Sequence, residues 1–270
     1  MYQLIEGDCL VEMKRIESGS VDAIICDLPY GTTACAWDVV IPFEPLWEQY
    51  KRVIKPKGAI VLFGSQPFTS ALIMSNVEWF RDELIWRKDR ATRFLDCNIR
   101  PMKSHENIII FCSHLPTYNP QKTDGAKPAS RSGKRSSVGL ASLLRGGLYQ
   151  SDGYGQTDRY QTSVLDFNVP NHGEFGLHPT QKPVSLLRNL IRTYTNEGDT
   201  VLDNCMGSGS TIVAALQTGR KAIGIERDAT YFQIAKRRIE DAARAAAGQP
   251  KILTGHINDT AGLPMFAELT

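Results

Sequence analysis

An α/β fold, with a mainly parallel sheet packed between helices, is what these 270 residues predict, on three observations. Apolar runs of strand length alternate with stretches of helical spacing, which is the order of consecutive βα units. Ile108 to Phe111 is continuously apolar, as a buried sheet member is. Late in the chain a glycine-containing loop joins a strand-like run to a helix-like one, and another strand-like run follows.

The elements follow in order. "YQLIEGD" predicts a strand and "CLVEMKRI" the helix after it; "VDAIICD" predicts a strand, "FEPLWEQYKRVI" a helix and "GAIVLFG" a strand. "DELIWRK" and "ENIIIFCS" read as two further strands on either side of a basic loop, "RKDRATRFLDCNIRPMK". From Ser113 to Pro170 the chain is rich in Gly, Ser, Pro and Gln without a sustained period, too long for a plain connector, so it is either functional or disordered. Between Pro120 and Arg145 it carries Lys122, Lys127, Arg131, Lys134, Arg135 and Arg145 against Asp124 alone, and Tyr118, Tyr149, Tyr154 and Tyr160 add stacking surfaces beside these cations. Then "SLLRNLIRTYT" has helical spacing, "DTVLDNCMGSGSTIVAALQTGRKAIGIERD" reads strand, loop, helix, strand, and "ATYFQIAKRRIEDAARAAAG" is a long amphipathic helix. The division is residues 1–112, an insertion at 113–170, and 171–270.

The chain is long enough for one large domain or one domain with an insertion. With 42% hydrophobic and 22% charged residues it has an ordinary globular composition, no apolar run of membrane-spanning length and no signal-peptide pattern at its start, so a cytoplasmic location is expected. Six cysteines lie scattered without a CxxC pair, which argues for reduced thiols and against a zinc ribbon, and no cluster has metal-ligand spacing, so no metal is assigned. A net charge of +2 does not announce nucleic acid; local clustering must carry any polyanion site.

Two stretches carry chemistry. In "VDAIICDLPYG" a strand ends at Asp27, and Pro29, lacking an N–H and holding Leu28 extended, prevents sheet or helix from continuing. An acid and the Tyr30 ring are thereby presented at the carboxyl end of a strand, where parallel sheets bind ligands. In "VLDNCMGSGSTIV" Gly207 and Gly209 allow close backbone approach before a helix N-terminus, and Glu226, seventeen residues on, ends the next strand where a carboxylate can accept from both ribose hydroxyls. The loop lacks the third glycine of a dinucleotide fingerprint and the lysine of a P-loop. A cofactor with an adenosine and no pyrophosphate fits it, and S-adenosylmethionine is the common one.

Taken together, "DLPY" early, "CMGSG" late, "HPTQKP" before the latter and "RPMKSHENIIIF" before the irregular segment resemble the beta-class DNA amino-methyltransferases over nearly the whole chain. The resemblance implies a Rossmann-like methyltransferase fold with a seven-stranded sheet, helices on both faces, permuted motif order and a target-recognition insertion. It implies catalysis by Asp27, Leu28, Pro29 and Tyr30, and a cofactor site of Asp8, Cys9, Asp27, His178, Thr180, Lys182, Asp203, Cys205, Gly207, Ser208, Gly209, Ser210, Thr211, Glu226 and Arg227. Double-stranded DNA would meet Trp37, Arg90, Arg93, Lys103, Lys122, Lys127, Arg131, Lys134, Arg135 and Arg145. A homodimer and a cognate restriction endonuclease are the further partners it leaves open. Leu28 stands where the family has a first proline, and Cys205 where it has phenylalanine; a backbone carbonyl is the working group at position 28, so leucine is expected to serve there.

The chemistry explains the residues. An exocyclic amine is a poor nucleophile because its lone pair is delocalised into the ring. Acceptors at its hydrogens, the Asp27 carboxylate and the Leu28 carbonyl, localise that pair toward a methyl donor, and Tyr30 stacks on a base taken out of the duplex. Asp at position 27 tilts the expectation to adenine N6 over cytosine N4. C5-cytosine methylation is set aside because the chain has no Pro-Cys pair for its nucleophile. An RNA or protein amide methyltransferase and a catalytically dead DNA-binding relative are the remaining rivals.

Overall fold

The computed structural model describes residues 1–32, 38–124, 158–170 and 181–248. Ten strands, β1 (Tyr2–Glu6), β2 (Val21–Cys26), β3 (Ile54–Gly64), β4 (Phe80–Thr92), β5 (Lys103–Phe111), β6 (Lys122–Asp124), β7 (Asp158–Tyr160), β8 (Val164–Asp166), β9 (Thr200–Asp203) and β10 (Lys221–Glu226), are found in them. The helices are α1 (Cys9–Glu12), α2 (Phe43–Val53), α3 (Phe68–Ser75), α4 (Val184–Tyr194), α5 (Ser210–Gln217) and α6 (Ala229–Ala246).

Eight strands form one sheet in the order β1-β10-β9-β2-β3-β5-β4-β8, parallel at every junction except the two that flank β5. The expected count of seven is exceeded by β8, a short piece of the 113–170 segment that pairs with the outer edge of β4. Trp86 secures that edge by donating its indole N–H to the Phe167 carbonyl at 2.7 Å. β6 and β7 form a separate antiparallel ribbon.

Alternation along β2 divides the core. Ala23 and Ile25 face α4, α5 and α6, which bury Leu187, Leu190, Ile212 and Ile239 on that side; Ile24 and Cys26 face the other side, where α2 and α3 bury Leu46, Tyr50 and Leu72 and the turn after α1 buries Met13. Cutting such a side chain back to alanine costs about 2–5 kcal/mol. Two local readings shift. The helix read through Ile54 stops at Val53, where Ile54 turns extended and opens β3, and α3 was not foreseen because its eight residues are apolar nearly all round and show no helical stripe.

The parallel strands point their carboxyl ends to one edge, and a cleft opens there. Asp27 follows β2, Asp8 follows β1, the 204–209 loop follows β9, and Glu226 ends β10.

Candidate active site

The cleft encloses about 1200 Å³, including space open to solvent, and takes its walls from both ends of the chain. Asp27, Leu28, Pro29 and Tyr30 line it together with Asp8, Cys9, Lys182, Asp203, Cys205, Gly207, Ser208, Ser210, Thr211, Glu226 and Arg227. The acid of the early motif and the loop of the late one thus face a common space.

The turn after β2 is held by Asp38, whose carboxylate accepts from the Gly31 and Thr32 N–H groups, each at 2.9 Å, while Gly31 takes a left-handed φ of 66°. Tyr30 donates to Asp27 Oδ1 at 2.5 Å, and its ring lies 5.0 Å from that of Phe68. Asp27 Oδ2 accepts from the Lys182 ammonium. Lys182 also stands 3.2 Å from Glu106 Oε2, while Lys88 donates to Glu106 Oε1 at 2.5 Å. Four alternating charges, Asp27, Lys182, Glu106 and Lys88, therefore run from the cleft along β5 to β4.

Burial is the largest single influence on Asp27, Lys182 and Glu106. It raises the Asp27 carboxyl above the usual carboxylate range, with Glu106 adding to the rise and Lys182 opposing it. On Glu106 burial is outweighed by Lys182 and Lys88, which bring it down to about 2. On Lys182 burial opposes the charge, but Asp27 and Glu106 overcome it and hold the ammonium above its ordinary range.

At the other end, Glu226 accepts from the Gly207 N–H at 2.9 Å and the Asp228 N–H at 2.8 Å, and burial raises its carboxyl. Each of its oxygens retains a lone pair for a diol. Asp8 caps α1, accepting from the Leu10 N–H at 2.9 Å. Arg238, from α6, clasps the loop by donating to the Ser208 carbonyl at 3.1 Å and to Ser210 Oγ at 2.8 Å. Gln181 binds Ser208 through its carbonyl, yet its buried Nε2 finds no hydrogen-bond partner among the described residues. An unsatisfied donor at the cleft wall, beside a glycine loop and in the same cleft as the Glu226 carboxylate, fits a ligand with an α-carboxylate at one end and a ribose at the other. S-adenosylmethionine has that form.

Some expected residues sit elsewhere. Gly209 does not line the cleft: it precedes α5 at φ 79°, and a Cβ there would stand 2.7 Å from Ile239 Cδ1, so its bareness serves the approach of α6. Arg90 near the end of β4, Arg93 in the turn after it and Lys103 at the start of β5 lie on one hairpin, and Lys122 pairs with Asp158 at 2.7 Å on the small ribbon. Trp37, Lys127, Arg131, Lys134, Arg135, Arg145, His178 and Thr180 lie outside the described residues.

Sequence reasoning missed Glu106, Gln181 and Arg238. Glu106 is an acid inside the otherwise apolar "ENIIIF" strand, and that oddity is the signal that could have found it. The cysteines also hold a surprise. Cys9, Cys26 and Cys205 come together beside the cleft: the Cys205 thiol lowers Cys9, while burial pushes Cys26 up to about 12.

Comparison with known proteins agrees with this geometry. A family model described as DNA methylase, of the N6/N4 methyltransferase type, matches residues 21–237. The type II methyltransferase M.HinfI of Haemophilus influenzae is 28% identical, covering 88% of this chain and 68% of its own length. The DNA adenine methyltransferase YhdJ of Escherichia coli is also 28% identical, covering 90% and 84% respectively. The crystal structure of the M1.HpyAVI-SAM complex superposes with a TM-score of 0.61 at 25% identity, covering 88% of this chain and 99% of that one. The cytosine-N4-specific PvuII DNA methyltransferase, at a TM-score of 0.62 and 14% identity over 92% of this chain and 95% of its own, shares the fold. The chain belongs to the beta-class DNA amino-methyltransferases of the N6/N4 methylase family, whose cofactor is S-adenosylmethionine.

Proposed function

We propose that the protein methylates the N6 amine of adenine in duplex DNA after the base has been extruded. The observation that carries this reading is the common cleft, in which the Asp27 carboxylate and the Gly207 loop, far apart in the chain, face the same space. S-adenosylmethionine supplies an electrophilic methyl group when bound. Glu226 receives the ribose hydroxyls, and Gln181 and Ser208 receive the carboxylate end. Asp27 keeps a second lone pair on each oxygen despite its bonds to Tyr30 and Lys182, so it can accept an amine hydrogen while the Leu28 carbonyl accepts the other. Lys182 acts on Asp27 in this reading: its charge keeps the carboxylate ionised against burial and fixes the orientation of the carboxyl plane. Tyr30, braced by Phe68, offers a ring face to the base. The basic 113–170 segment meets the DNA, with its target-recognition residues among those outside the description.

Adenine is favoured over cytosine by the acid at position 27 and by the likeness to a relative named as an adenine methyltransferase. The test is transfer of labelled methyl to mixed-sequence DNA, followed by hydrolysis and separation of the methylated nucleosides. N6-methyladenine is expected, and transfer should vanish in Asp27→Ala. N4-methylcytosine would overturn the base assignment, and undiminished transfer in the variant would overturn the role of Asp27.

A further inference from the structure

The hairpin joining β4 to β5 carries apolar side chains beyond the sheet. β5 is antiparallel to β3, with Asn107 opposite Gly64, so its start at Lys103 and the hairpin before it lie at the edge where the cleft opens. Glu106 lines the cleft, and Lys103 is three residues nearer the tip on the same strand, about 10 Å away at ~3.3 Å per residue. At the tip Phe94 is 73%, Leu95 92% and Ile99 82% exposed. Exposed apolar clusters of this kind mark interaction surfaces, since each such side chain forgoes the gain of burial.

The tip is a built structure. Phe94–Asp96 forms a 3₁₀ turn entered through Arg93 at a φ of 68°, the one positive φ outside glycine among the described residues. The N–H groups of Ile99 and Arg100 both donate to the Asp96 carbonyl at 3.0 Å, and the Arg100 guanidinium returns to the Asp96 carboxylate. Lys103 donates to Ser65 Oγ, fastening the hairpin base to the end of β3. The segment 88–103 holds five cations against two acids, Asp89 and Asp96.

A rigid apolar tip in a cationic frame suits a partner that is anionic outside and apolar within. Duplex DNA is such a partner, whereas a second copy of the same cationic hairpin would be repelled. We propose that Phe94 and Leu95 form a wedge that enters the base stack and occupies the place left by the extruded base, with Arg93 beside the phosphates. The inference rests on the methyltransferase reading and adds to it the means by which the open duplex is held.

The test compares the parent with the double variant Phe94→Ala, Leu95→Ala on two duplexes containing the site that sequencing of methylated DNA reveals. In one the target base is paired, and in the other it faces an abasic position, which lowers the cost of extrusion. Transfer to the paired duplex should fall about tenfold or more while transfer to the abasic one stays within about threefold, because the pairing that opposes extrusion is then already absent. Cofactor affinity, measured without DNA, should stay within about twofold, since both side chains stand clear of the core. Equal loss on both duplexes, no loss on either, loss of cofactor binding, or conversion of a dimer to a monomer on sedimentation would each overturn the wedge. Failure of the parent to methylate either duplex would instead sink the methyltransferase reading itself.

Discussion

Lys182 reaches back across 155 residues to hydrogen-bond Asp27, and the same ammonium stands 3.2 Å from Glu106. The family resemblance assigns this lysine to the cofactor; the geometry sets it on the Asp27 carboxylate. The two roles differ in what they predict.

Replacing Lys182 by Met removes the positive charge that opposes burial, so Asp27 should hold its proton to higher pH. In the proposed reaction its working form is the anion, and the acid limb of methyl transfer should therefore move upward. Removing one member of a buried ion pair costs about 3–5 kcal/mol, so Lys182→Met paired with Glu106→Gln is the better-folded comparison. Single-turnover transfer against pH, with cofactor affinity measured separately by calorimetry, decides the matter. A weakened affinity with an unmoved acid limb would return Lys182 to the cofactor.

Glu226→Gln tests the other end of the cleft. The carboxylate takes N–H groups from Gly207 and Asp228, and an amide can accept with only one of its two heads. Cofactor affinity should fall about tenfold or more, the size expected for a charged hydrogen-bond acceptor lost from a site of this kind. DNA binding in a gel-shift assay should change little. Unchanged affinity would remove Glu226 from the ribose.

Much of this architecture was legible because the signals are local. A strand ended by an acid and a proline, a glycine loop before a helix, and an acid ending the next strand each lie within a few residues, and each stands where the pattern put it. What escaped is non-local. Glu106 and Lys182 become partners only because β5 lies beside β3 and the 181–183 segment passes across their ends, which no periodicity encodes. Cys9, Cys26 and Cys205 look scattered along the chain and meet for the same reason. Gly209 is ambiguous in another way: a glycine that admits a ligand and one that admits a helix read alike in sequence, and in the fold this one stands against Ile239.

Gly209→Ala separates those two meanings. The new Cβ would press on Ile239 at 2.7 Å, at a φ of 79° that L-residues disfavour, and the combined cost should be about 2 kcal/mol or more. The melting temperature should drop, with the affinity of the folded protein for cofactor held within about twofold. Adding Ile239→Val removes the opposing Cδ1 and should recover part of the loss. A fall in affinity without a fall in melting temperature would mean that Gly209 faces the ligand after all.

Asp203, buried at the end of β9 behind the glycine loop, links pH to stability. Burial is the main influence on it and prevails over the bonds from Thr211 and the Cys205 N–H, raising its carboxyl from 3.8 to about 6. Below the lower value the group is protonated in both the folded and the unfolded chain, and the stability that goes with the protonated form is fully present. As pH rises from there toward about 6, the unfolded chain sheds its proton while the fold retains it, so that stability drains away and is gone above the upper value. Asp203→Asn keeps a carbonyl for the Cys205 N–H and cannot ionise. Its melting temperature should exceed the parent's by a few degrees at about pH 7.5, and the gap should narrow toward about pH 4.5. Scanning calorimetry across that range checks the sign, and a parent that gains on the variant as pH rises would show that the fold prefers the Asp203 anion.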